Sequence, residues 1–570
     1  MKRARITARI FTIFALCLIA MGLSYTSSTP VFWDGAPDGN LVSAITAAMT
    51  DEELLGQVFF LGYHGTQPSQ EILLFIRNRN LGGLKVFTRN VSSLPQITSD
   101  IRTMQEASQT TRFKIPMFVA TDQEGGWVTH IRKGSSISGG NLSLGAGGVP
   151  HDAFLSGYYI GCELAAMGVN MNYAPNLDIY TNPRADAVGP RGFSQDPVQV
   201  GIFGAAYLQG MMKAGIIATG KHFPGHGDAD KDSHGYLPEI QIDSGTLYER
   251  ELFPYRMAIH EGLPAIMSAH IAFPSITGNR VPATLSKYFL VDVLREKLGF
   301  TGIVLTDDME MNGVLMSGDS VAQACKKAML AGNDMVLISH TPAEQEAAWQ
   351  LLLRAMHTDR EFHERVAASA ARILALKLKT FRHDPANPDA PVFSFLPDPG
   401  AVEQKIPAPQ APDFFFQSLC RGITVIRDGR IPYKPAPGER VLIAAHYADF
   451  LNEGKKRYPS ADSLYIPWSS RYEAIGEEIS LVTGRVPAYD TVIFCLSSES
   501  SLDILLRLSA SGKKIIVISA LTPVYLRETP WVQTAIAVFG ESRDAFMAGF
   551  SVLAGDFTPE GKLPVDFIKP

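Results

Sequence analysis

The feature that most constrains the fold is an alternation of short apolar runs with helix-like segments across the first two thirds of the chain. Eight apolar runs repeat in this way, at residues 57–62, 83–87, 116–122, 169–174, 216–219, 265–270, 302–307 and 333–338. Amphipathic segments separate most of them, including 197–213, 248–261 and 321–331. Strands that alternate with helices favour a parallel sheet, and eight such units predict a closed (β/α)8 barrel of the TIM type.

A second domain is predicted after the barrel. A helical segment at 360–378 ends the repeat, and eight prolines follow between residues 381 and 413, which indicates an extended linker or a segment wrapped on the surface. Strand-like runs then resume at residues 422–426, 440–445, 490–495, 514–519 and 534–539, with helical segments at 501–511 and 542–553. We therefore divide the chain into a barrel domain (29–380), a linker (381–412) and a smaller α/β sandwich domain with an open sheet (413–570).

The first residues have the pattern of a targeting segment. Lys2, Arg3, Arg5 and Arg9 precede an apolar run at 10–23, which is shorter than a comfortable membrane span. Residues 1–28 are therefore predicted to be a signal peptide, with an uncleaved N-terminal membrane anchor as the alternative. Either interpretation places the protein outside the cytoplasm, in a periplasm or beyond it.

Overall charge and the absence of phosphate-binding motifs exclude two classes of partner. The net charge of −6 argues against a general binder of nucleic acids, because such proteins carry an excess of positive charge. The sequence contains neither GxxxxGK nor GxGxxG, so nucleotide binding has no support.

Ionisable residues collect at the ends of the predicted barrel strands. They are Asp122, Asp178, Lys221, His222, His270, Asp307 and Asp308. Active sites of (β/α)8 barrels form at the carboxyl ends of the strands. A purely structural distribution would scatter such residues along the strands, so the pattern predicts an enzyme with its site at the barrel mouth.

The loop after the fifth predicted strand, residues 220–234, is rich in ionisable groups, and its glycines and Pro224 exclude a continuous helix. Asp232 lies two residues before His234, so a bend in the loop would let the carboxylate orient the imidazole for proton transfer near neutral pH. Two other interpretations remain open. One is a polar loop without a role, and the other is a metal site formed by His222, His226, Asp228 and His234.

Two further strand ends carry carboxylates suited to sugar chemistry. Asp307 closes the seventh predicted strand and can act as a covalent nucleophile on a sugar, whereas a role as helix cap suits the adjacent Asp308. Asp122 begins an acidic, glycine-rich segment and can accept hydrogen bonds from vicinal hydroxyls. The structural alternative for that segment is a tight turn followed by a capped helix.

Several motifs together resemble glycoside hydrolase family 3, and within it the bacterial β-N-acetylglucosaminidases of the NagZ type. The most specific motif is KHFPGHGDADKDSH at 221–234. The others include ATDQEGG at 120–126, RGFS at 191–194, MSAH at 267–270 and GFTGIVLTDDMEM at 299–311. The resemblance is strong over about residues 40–375 and looser over 413–570, where GKLPVD at 561–566 matches.

This resemblance implies a retaining, exo-acting glycosidase that removes terminal N-acetylglucosamine from peptidoglycan or chitin fragments, without a metal or cofactor. Asp307 would be the nucleophile, and His234, oriented by Asp232, would be the general acid/base. The residues that match the sugar-binding positions of the family are Asp122, Arg191, Lys221 and His222.

Two departures from the family pattern concern the leaving-group side of the site. Trp127 stands where the family usually has Arg, and Gly192 stands where Ser or Ala is usual.

Three other functions also remain open. Phosphate could replace water in the second step, because a neutral imidazole repels an anion less than a carboxylate does. The chain could also be a β-glucosidase of the same family, or a non-catalytic sugar-binding wall protein.

Overall fold

The computed structural model describes residues 29–185, 188–229, 235–315, 318–382, 393–468 and 475–566. The first domain is a closed barrel of eight parallel strands, which are β1 (Phe59–Gly62), β2 (Gly83–Lys85), β3 (Phe118–Thr121), β4 (Met171–Asn172), β5 (Ile217–Phe223), β6 (Ala265–Ser268), β7 (Ile303–Asp308) and β8 (Met335–Ile338). Strands adjacent in sequence pair with each other, and β8 pairs with β1 to close the sheet. The predicted barrel is confirmed, and each of the eight predicted runs forms one of its strands.

Helices cover the outside of the barrel. The α-helices of this domain are Asp38–Ala48, Asp51–Gln57, Gln70–Arg79, Leu94–Ser108, Asn141–Gly147, Pro150–Met167, Pro197–Lys213, Phe253–His260, Val321–Ala331, Pro342–Thr358 and Arg360–Phe381, with short turns at Ser244–Thr246, Pro274–Thr277 and Asn312–Leu315. Two π-helical segments, Leu247–Glu251 and Tyr288–Lys297, accompany them. The helix predicted at 248–261 is therefore divided into a π-helical turn and the α-helix Phe253–His260, because Pro254 has no N–H to continue the helical hydrogen bonds.

Local sequence explains where several helices begin. The helix Val321–Ala331 starts after Ser320, whose hydroxyl accepts a hydrogen bond from the backbone N–H of Gln323 at 3.3 Å. The helix Pro197–Lys213 starts after Asp196, whose carboxylate accepts from the N–H of Val198 at 3.0 Å. Both helices therefore have the bounds that the apolar periodicity predicts.

Apolar side chains fill the barrel interior below the strand ends. The rings of Phe60 and Tyr173 lie 5.8 Å apart across it. Gly83 leaves room for the Phe60 ring, because a Cβ at this position would come within 2.5 Å of it. The interior is thus a packed core, and a substrate has access only to the mouth at the carboxyl ends of the strands.

The second domain is a mixed six-stranded sheet with helices on both faces. Its strands are β9 (Thr424–Asp428), β10 (Val441–Ala445), β11 (Asp462–Tyr465), β12 (Thr491–Leu496), β13 (Lys514–Ser519) and β14 (Thr534–Ala537), in the order β9-β14-β13-β12-β10-β11. β9 is antiparallel to β14, and the other neighbours are parallel. The helices are Ala411–Gly422, Ala448–Arg457, Gly476–Arg485, Glu499–Arg507 and Arg543–Ala554. An apolar cluster on each face of the sheet completes the predicted α/β sandwich.

The strand β11 was not predicted from the sequence. Its four residues, Asp-Ser-Leu-Tyr, contain no apolar run, and the strand lies exposed at the edge of the sheet. This strand forms because it pairs with β10, and no pattern in its own residues predicts it.

The described part of the proline-rich segment, residues 393–412, packs against the barrel. Phe393 and Ile406 are buried, and the ring of Phe395 stacks on Trp33 at 5.0 Å. The backbone N–H of Ala408 donates to the carboxylate of Glu163 at 3.0 Å. These contacts fit a wrapped segment rather than a free linker, while the proposed domain boundaries stay a prediction.

Residues 1–28, with the predicted signal peptide or anchor, lie outside the described part of the chain. Within the described ranges, no helix combines the length and the apolar character needed to cross a membrane.

The second domain docks on the barrel beside its mouth. The hydroxyl of Ser194 donates to the carbonyl of Pro564 at 2.9 Å, and Arg132 forms an ion pair with Glu541 at 3.2 Å. Apolar residues from both domains form one buried cluster, with Leu142, Ala146, Tyr180, Ala537, Phe539 and Val565 among its members. The carboxyl ends of both sheets therefore contribute residues to one junction.

Candidate active site

Three barrel strands bring most of the predicted site residues to the mouth. Asp122 directly follows β3, Lys221 and His222 lie at the end of β5, and Asp307 lies at the end of β7. The register of the parallel strands places these ends at the same height along the barrel axis. Phe223 of β5 pairs with Ser268 of β6, and Ser268 pairs with Thr306 of β7. The predicted grouping at the carboxyl ends is thus present in the structure.

Lys221 is the centre of a buried ion network. Its ammonium group lies 2.5 Å from an oxygen of Asp122 and 2.6 Å from an oxygen of Glu124. Lys85, at the end of β2, contacts the second oxygen of Asp122 at 2.9 Å. Burial alone would raise the pKa of Asp122, but Lys221 and Lys85 hold that pKa well below its ordinary value. The site therefore keeps buried carboxylates ionised by pairing each with cations.

Arg191 joins this network through Glu124. Its guanidinium contacts the two oxygens of that carboxylate in a bidentate arrangement, with distances of 3.0 and 2.7 Å. Burial raises the pKa of Glu124, but Arg191 and Lys221 outweigh burial and lower it. Glu124 thus fixes two of the predicted sugar-binding side chains, Arg191 and Lys221.

Sequence reasoning did not select Glu124 or Lys85 as site residues. The segment after Asp122 forms a hairpin, with strands Gln123–Gly125 and Val128–Thr129, and not the turn and capped helix that were the structural alternative. Residues two positions apart on a strand point to the same side, so Asp122 and Glu124 both face Lys221 while Gln123 bonds Ile131. This alternation is the sequence pattern from which Glu124 could have been identified as a site residue.

His222 is held in one tautomer by its neighbours. Its Nδ1 lies 2.7 Å from Asp178, and its Nε2 lies 3.2 Å from the guanidinium of Arg191. Because Arg only donates hydrogen bonds, Nε2 accepts and Nδ1 carries the proton that Asp178 accepts. Burial raises the pKa of Asp178, but His222 and His226 lower it to about 2. Asp178, noted in the sequence only as a strand end, is the residue that orients His222.

Asp307 differs from the other carboxylates at the mouth. Its side chain is half-buried, and one oxygen accepts a hydrogen bond from the backbone N–H of Asp308 at 2.8 Å. Burial raises the pKa of Asp307, yet His222, His270 and Lys85 together keep it below its ordinary value of 3.8. Asp307 is therefore ionised and accessible, as a nucleophile requires.

Asp308 does not cap a helix. One of its oxygens accepts from the N–H of Glu310 at 3.1 Å, and the other lies 3.4 Å from His340. The next helix begins only at Asn312, so Asp308 stabilises the turn before it. His270 also supports this turn, since its Nε2 donates to the Asp308 carbonyl at 3.0 Å.

The loop after β5 is described up to Ala229 and again from Gly235. Asp232 and His234, the predicted acid/base pair, lie outside the described residues, so their roles stay a prediction. The described part of the loop is anchored at both ends. The N–H of His226 donates to Asp178 at 2.8 Å, and Asp228 forms an ion pair with Arg250 at 2.9 Å.

The metal interpretation of this loop finds no support among its described residues. Both ring nitrogens of His222 have hydrogen-bond partners, and Asp228 is paired with Arg250. His234, the fourth residue of the predicted metal set, lies outside the described residues. Within the ranges that the structure describes, no three residues of metal-ligating type lie together as a site for an ion.

Comparison with known proteins agrees with the geometry. Residues 49–376 match the family model for the glycosyl hydrolase family 3 N terminal domain. A beta-hexosaminidase A from Pseudoalteromonas piscicida is 31% identical over 376 residues, which span 59% of this chain and 62% of that relative. A beta-hexosaminidase from Nitrosospira multiformis is 34% identical over 314 residues, which span 54% of this chain and 85% of the relative.

The second domain also has a structural counterpart. The solved structure of a glycoside hydrolase family 3 beta-N-acetylglucosaminidase from a Paenibacillus species superposes with a TM-score of 0.81 at 28% identity. The match covers 91% of this chain and 99% of that one, so it includes both domains. The chain therefore belongs to glycosyl hydrolase family 3, as a glycoside hydrolase similar to the β-hexosaminidases.

Proposed function

We propose that the protein is a retaining, exo-acting β-N-acetylhexosaminidase that removes terminal N-acetylglucosamine from peptidoglycan or chitin fragments. The observation that carries the proposal is the contrast at the barrel mouth. Asp122, Glu124 and Asp178 are buried and paired with cations or imidazole, whereas Asp307 is half-buried and keeps a pKa below its ordinary value although its carboxylate makes no close ion pair among the described residues. The names of the two β-hexosaminidase relatives support the choice of sugar.

The first chemical step forms a glycosyl-enzyme intermediate. A carboxylate oxygen of Asp307 attacks the anomeric carbon of the terminal sugar, and the bond from that carbon to the leaving oxygen breaks. His234, oriented by Asp232, donates a proton to the leaving oxygen, so that the aglycone departs as a neutral alcohol.

The second step releases the sugar. His234, now neutral, takes a proton from a water molecule as that water attacks the anomeric carbon from the side of the departed group. The bond to Asp307 breaks, and its carboxylate is restored. Two displacements on opposite faces of the ring leave the anomeric configuration unchanged.

The buried network holds the terminal sugar. Asp122 can accept hydrogen bonds from ring hydroxyls, while Arg191, Lys221 and His222 supply the other polar groups around it. Their positions are set before substrate arrives by Glu124 and Asp178, so binding needs little rearrangement of charges. Binding energy is then available to align the anomeric carbon with Asp307.

The protein is proposed to act outside the cytoplasm. The basic residues and the apolar run within residues 1–28 support export through a signal peptide, with a membrane tether as the alternative. Cell fractionation after expression of the full chain in a Gram-negative host should recover it in the periplasm or medium, or with membranes if it is tethered. Recovery from the cytosol alone would contradict export.

Replacing Asp307 by Ala should lower kcat on an aryl β-N-acetylglucosaminide by at least about a thousandfold, because no covalent intermediate can form. Azide should restore part of the turnover and yield the glycosyl azide of inverted configuration. Glu346→Gln, which removes the charge of an exposed carboxylate paired with Arg79 on the outer helix Pro342–Thr358, is the control and should keep wild-type activity. Equal hydrolysis by the Asp307 variant would refute the nucleophile assignment.

The acid/base role predicts a specific pH dependence. Asp307 must be ionised, so the acid limb of kcat/KM should lie below the ordinary pKa of 3.8. His234 must be protonated, so activity should fall as the pH rises through about 6.5, the ordinary imidazole value. In His234→Ala the basic limb should disappear, and substrates with dinitrophenol as leaving group should lose much less activity than those with a sugar. An unchanged profile would exclude His234.

Glu124 is expected to act through the residues that it positions. The substitution Glu124→Gln removes a buried carboxylate that pairs with Arg191 and Lys221. We therefore expect kcat/KM to fall about 10- to 100-fold, which corresponds to a loss of about 1.4–2.8 kcal/mol in transition-state stabilisation. Because the terminal sugar is bound less well, the change should appear mainly in KM. Calorimetry would check that the variant is folded, and a KM equal to that of the wild type would contradict this role.

A further inference from the structure

His270 lies at the barrel mouth, and the proposed mechanism gives it no step. The sequence marks it as a strand-end residue, and it follows β6 by two residues. It is buried, with 1% of its surface exposed. Both ring nitrogens have hydrogen-bond partners within the protein, so neither is free to bind a sugar or to exchange a proton with it. An effect of His270 on the reaction therefore has to pass through its partners.

The first partner of His270 is the residue that follows the proposed nucleophile. The Nε2 of His270 donates to the backbone carbonyl of Asp308 at 3.0 Å. The next backbone N–H, that of Met309, donates to the carbonyl of Leu337 in β8 at 2.9 Å. The peptide group between Asp308 and Met309 is therefore bonded on both sides, and these two hydrogen bonds fix the orientation of its plane.

The same residue, Asp308, positions the carboxylate of Asp307. The backbone N–H of Asp308 donates to one oxygen of Asp307 at 2.8 Å. Asp308 thus bonds the proposed nucleophile through its N–H and His270 through its carbonyl. If the carbonyl shifted because His270 was lost, the N–H would shift with it, and so would the carboxylate that attacks the sugar. A small displacement of a reacting group is enough to slow a reaction strongly.

The second partner of His270 sets its tautomer. Its Nδ1 lies 2.9 Å from the hydroxyl of Thr284. Because a backbone carbonyl only accepts hydrogen bonds, Nε2 carries a proton. Burial lowers the pKa of His270 below its ordinary value of 6.5, although the charge of Asp307 opposes this shift. The imidazole is therefore neutral at neutral pH, and its Nδ1 accepts the proton of the Thr284 hydroxyl.

Buried contacts hold Thr284 in place. Its backbone N–H donates to the carbonyl of Ala269 at 3.1 Å. The side-chain amide of Asn333, just before β8, donates to the Thr284 carbonyl at 2.9 Å, and the hydroxyl of Ser268 donates to Asn333 at 2.7 Å. The side chains of Thr284, Asn333 and Ser268 are fully buried. The hydroxyl that orients His270 is therefore fixed in the packed wall between β6 and β8.

His270 also affects the charge of the nucleophile. Burial raises the pKa of Asp307, but His222, His270 and Lys85 lower it below 3.8. The charged and titratable groups that act on His270 in return are Asp307 and Asp308 of β7 and His222 of β5. Loss of the imidazole should therefore raise the pKa of Asp307.

We propose that His270 is a positioning residue for the nucleophile: it fixes the backbone of Asp308, and through it the carboxylate of Asp307, while Thr284 holds the imidazole in the required tautomer. This inference rests on the proposed glycosidase function and deepens it, because it assigns the residues that aim the attacking group.

The first test compares two variants of the full-length protein on an aryl β-N-acetylglucosaminide. His270→Phe keeps a ring without a donor, so kcat/KM should fall about 10- to 100-fold. His270→Gln carries an amide donor on a side chain of similar reach and should restore most of this loss. The inhibition constant of N-acetylglucosamine should stay within about twofold of the wild type in both variants, because the sugar-binding groups are unchanged.

The acid limb of kcat/KM provides a second measurement. Asp307 has to be ionised to attack, and His270 is one of the groups that lower its pKa. This pKa should rise in His270→Phe, so that activity is lost at a higher pH than in the wild type as the pH falls. A loss of packing alone would leave the acid limb unchanged.

Variants of Thr284 test the relay without altering His270. Thr284→Val removes the hydroxyl and keeps the shape, so kcat/KM should fall about three- to tenfold, whereas Thr284→Ser keeps the hydroxyl and should retain activity. In the double variant with His270→Phe, the change Thr284→Val should have no further effect, because the hydroxyl acts only through the imidazole.

Gln105→Leu is the matched control for the loss of a buried hydrogen bond. Its side chain is fully buried and donates to the carbonyl of Met117 at 3.0 Å, just before β3 and at the opposite end of the barrel from the mouth. Calorimetry should show that this variant is destabilised, as His270→Phe is. Its kcat/KM and acid limb should nevertheless equal those of the wild type.

The inference alone would be overturned if His270→Phe kept kcat/KM within about twofold of the wild type with an unchanged acid limb, or if the losses in the double variant were additive. If His270→Phe does not fold, the two Thr284 variants decide, and equal activity of Thr284→Val and Thr284→Ser would overturn the inference. Full activity of Asp307→Ala would instead overturn the proposed function, and the inference with it.

Discussion

The site depends on the burial of Lys221 at the end of β5. A fully buried ammonium group is stable only when carboxylates surround it, and here Asp122 and Glu124 approach it within 2.6 Å. Glu124 in turn binds Arg191, and Arg191 contacts His222. This chain of contacts ties β3, β5 and the loop after β4 into one unit. The positions of the proposed sugar-binding groups therefore follow from the need to neutralise buried charge.

Asp307 stands apart from this network for a reason that serves catalysis. A carboxylate in a tight ion pair is a poor nucleophile, because its lone pairs are engaged by a cation. Asp307 accepts one backbone hydrogen bond, and His222, His270 and Lys85 hold its pKa below the ordinary value without a close salt bridge in the described part of the chain. The mouth thus combines carboxylates fixed by ion pairs with one accessible carboxylate, the proposed nucleophile.

The two domains meet at the carboxyl ends of their sheets. The crevice of an open α/β sheet and the mouth of a barrel both lie at the carboxyl ends of parallel strands. Contacts such as Arg132 with Glu541 and Ser194 with Pro564 bring these ends together. The second domain therefore lies beside the barrel mouth, where the proposed nucleophile and sugar-binding residues are found.

Much of this architecture can be predicted from the sequence, because it depends on local patterns. Apolar periodicity located all eight barrel strands, and strand ends marked Asp122, Lys221, His222 and Asp307 as neighbours. The family motifs added Arg191. Only the tertiary structure revealed the partners Glu124 and Lys85, since Glu124 binds Arg191 from 67 residues away and Lys85 reaches Asp122 from another strand of the barrel. The edge strand β11 and the contact between the two domains likewise exist only through interactions between distant segments. Local sequence determines which elements form, whereas the pairing of buried charges and the meeting of two domains are decided by long-range packing.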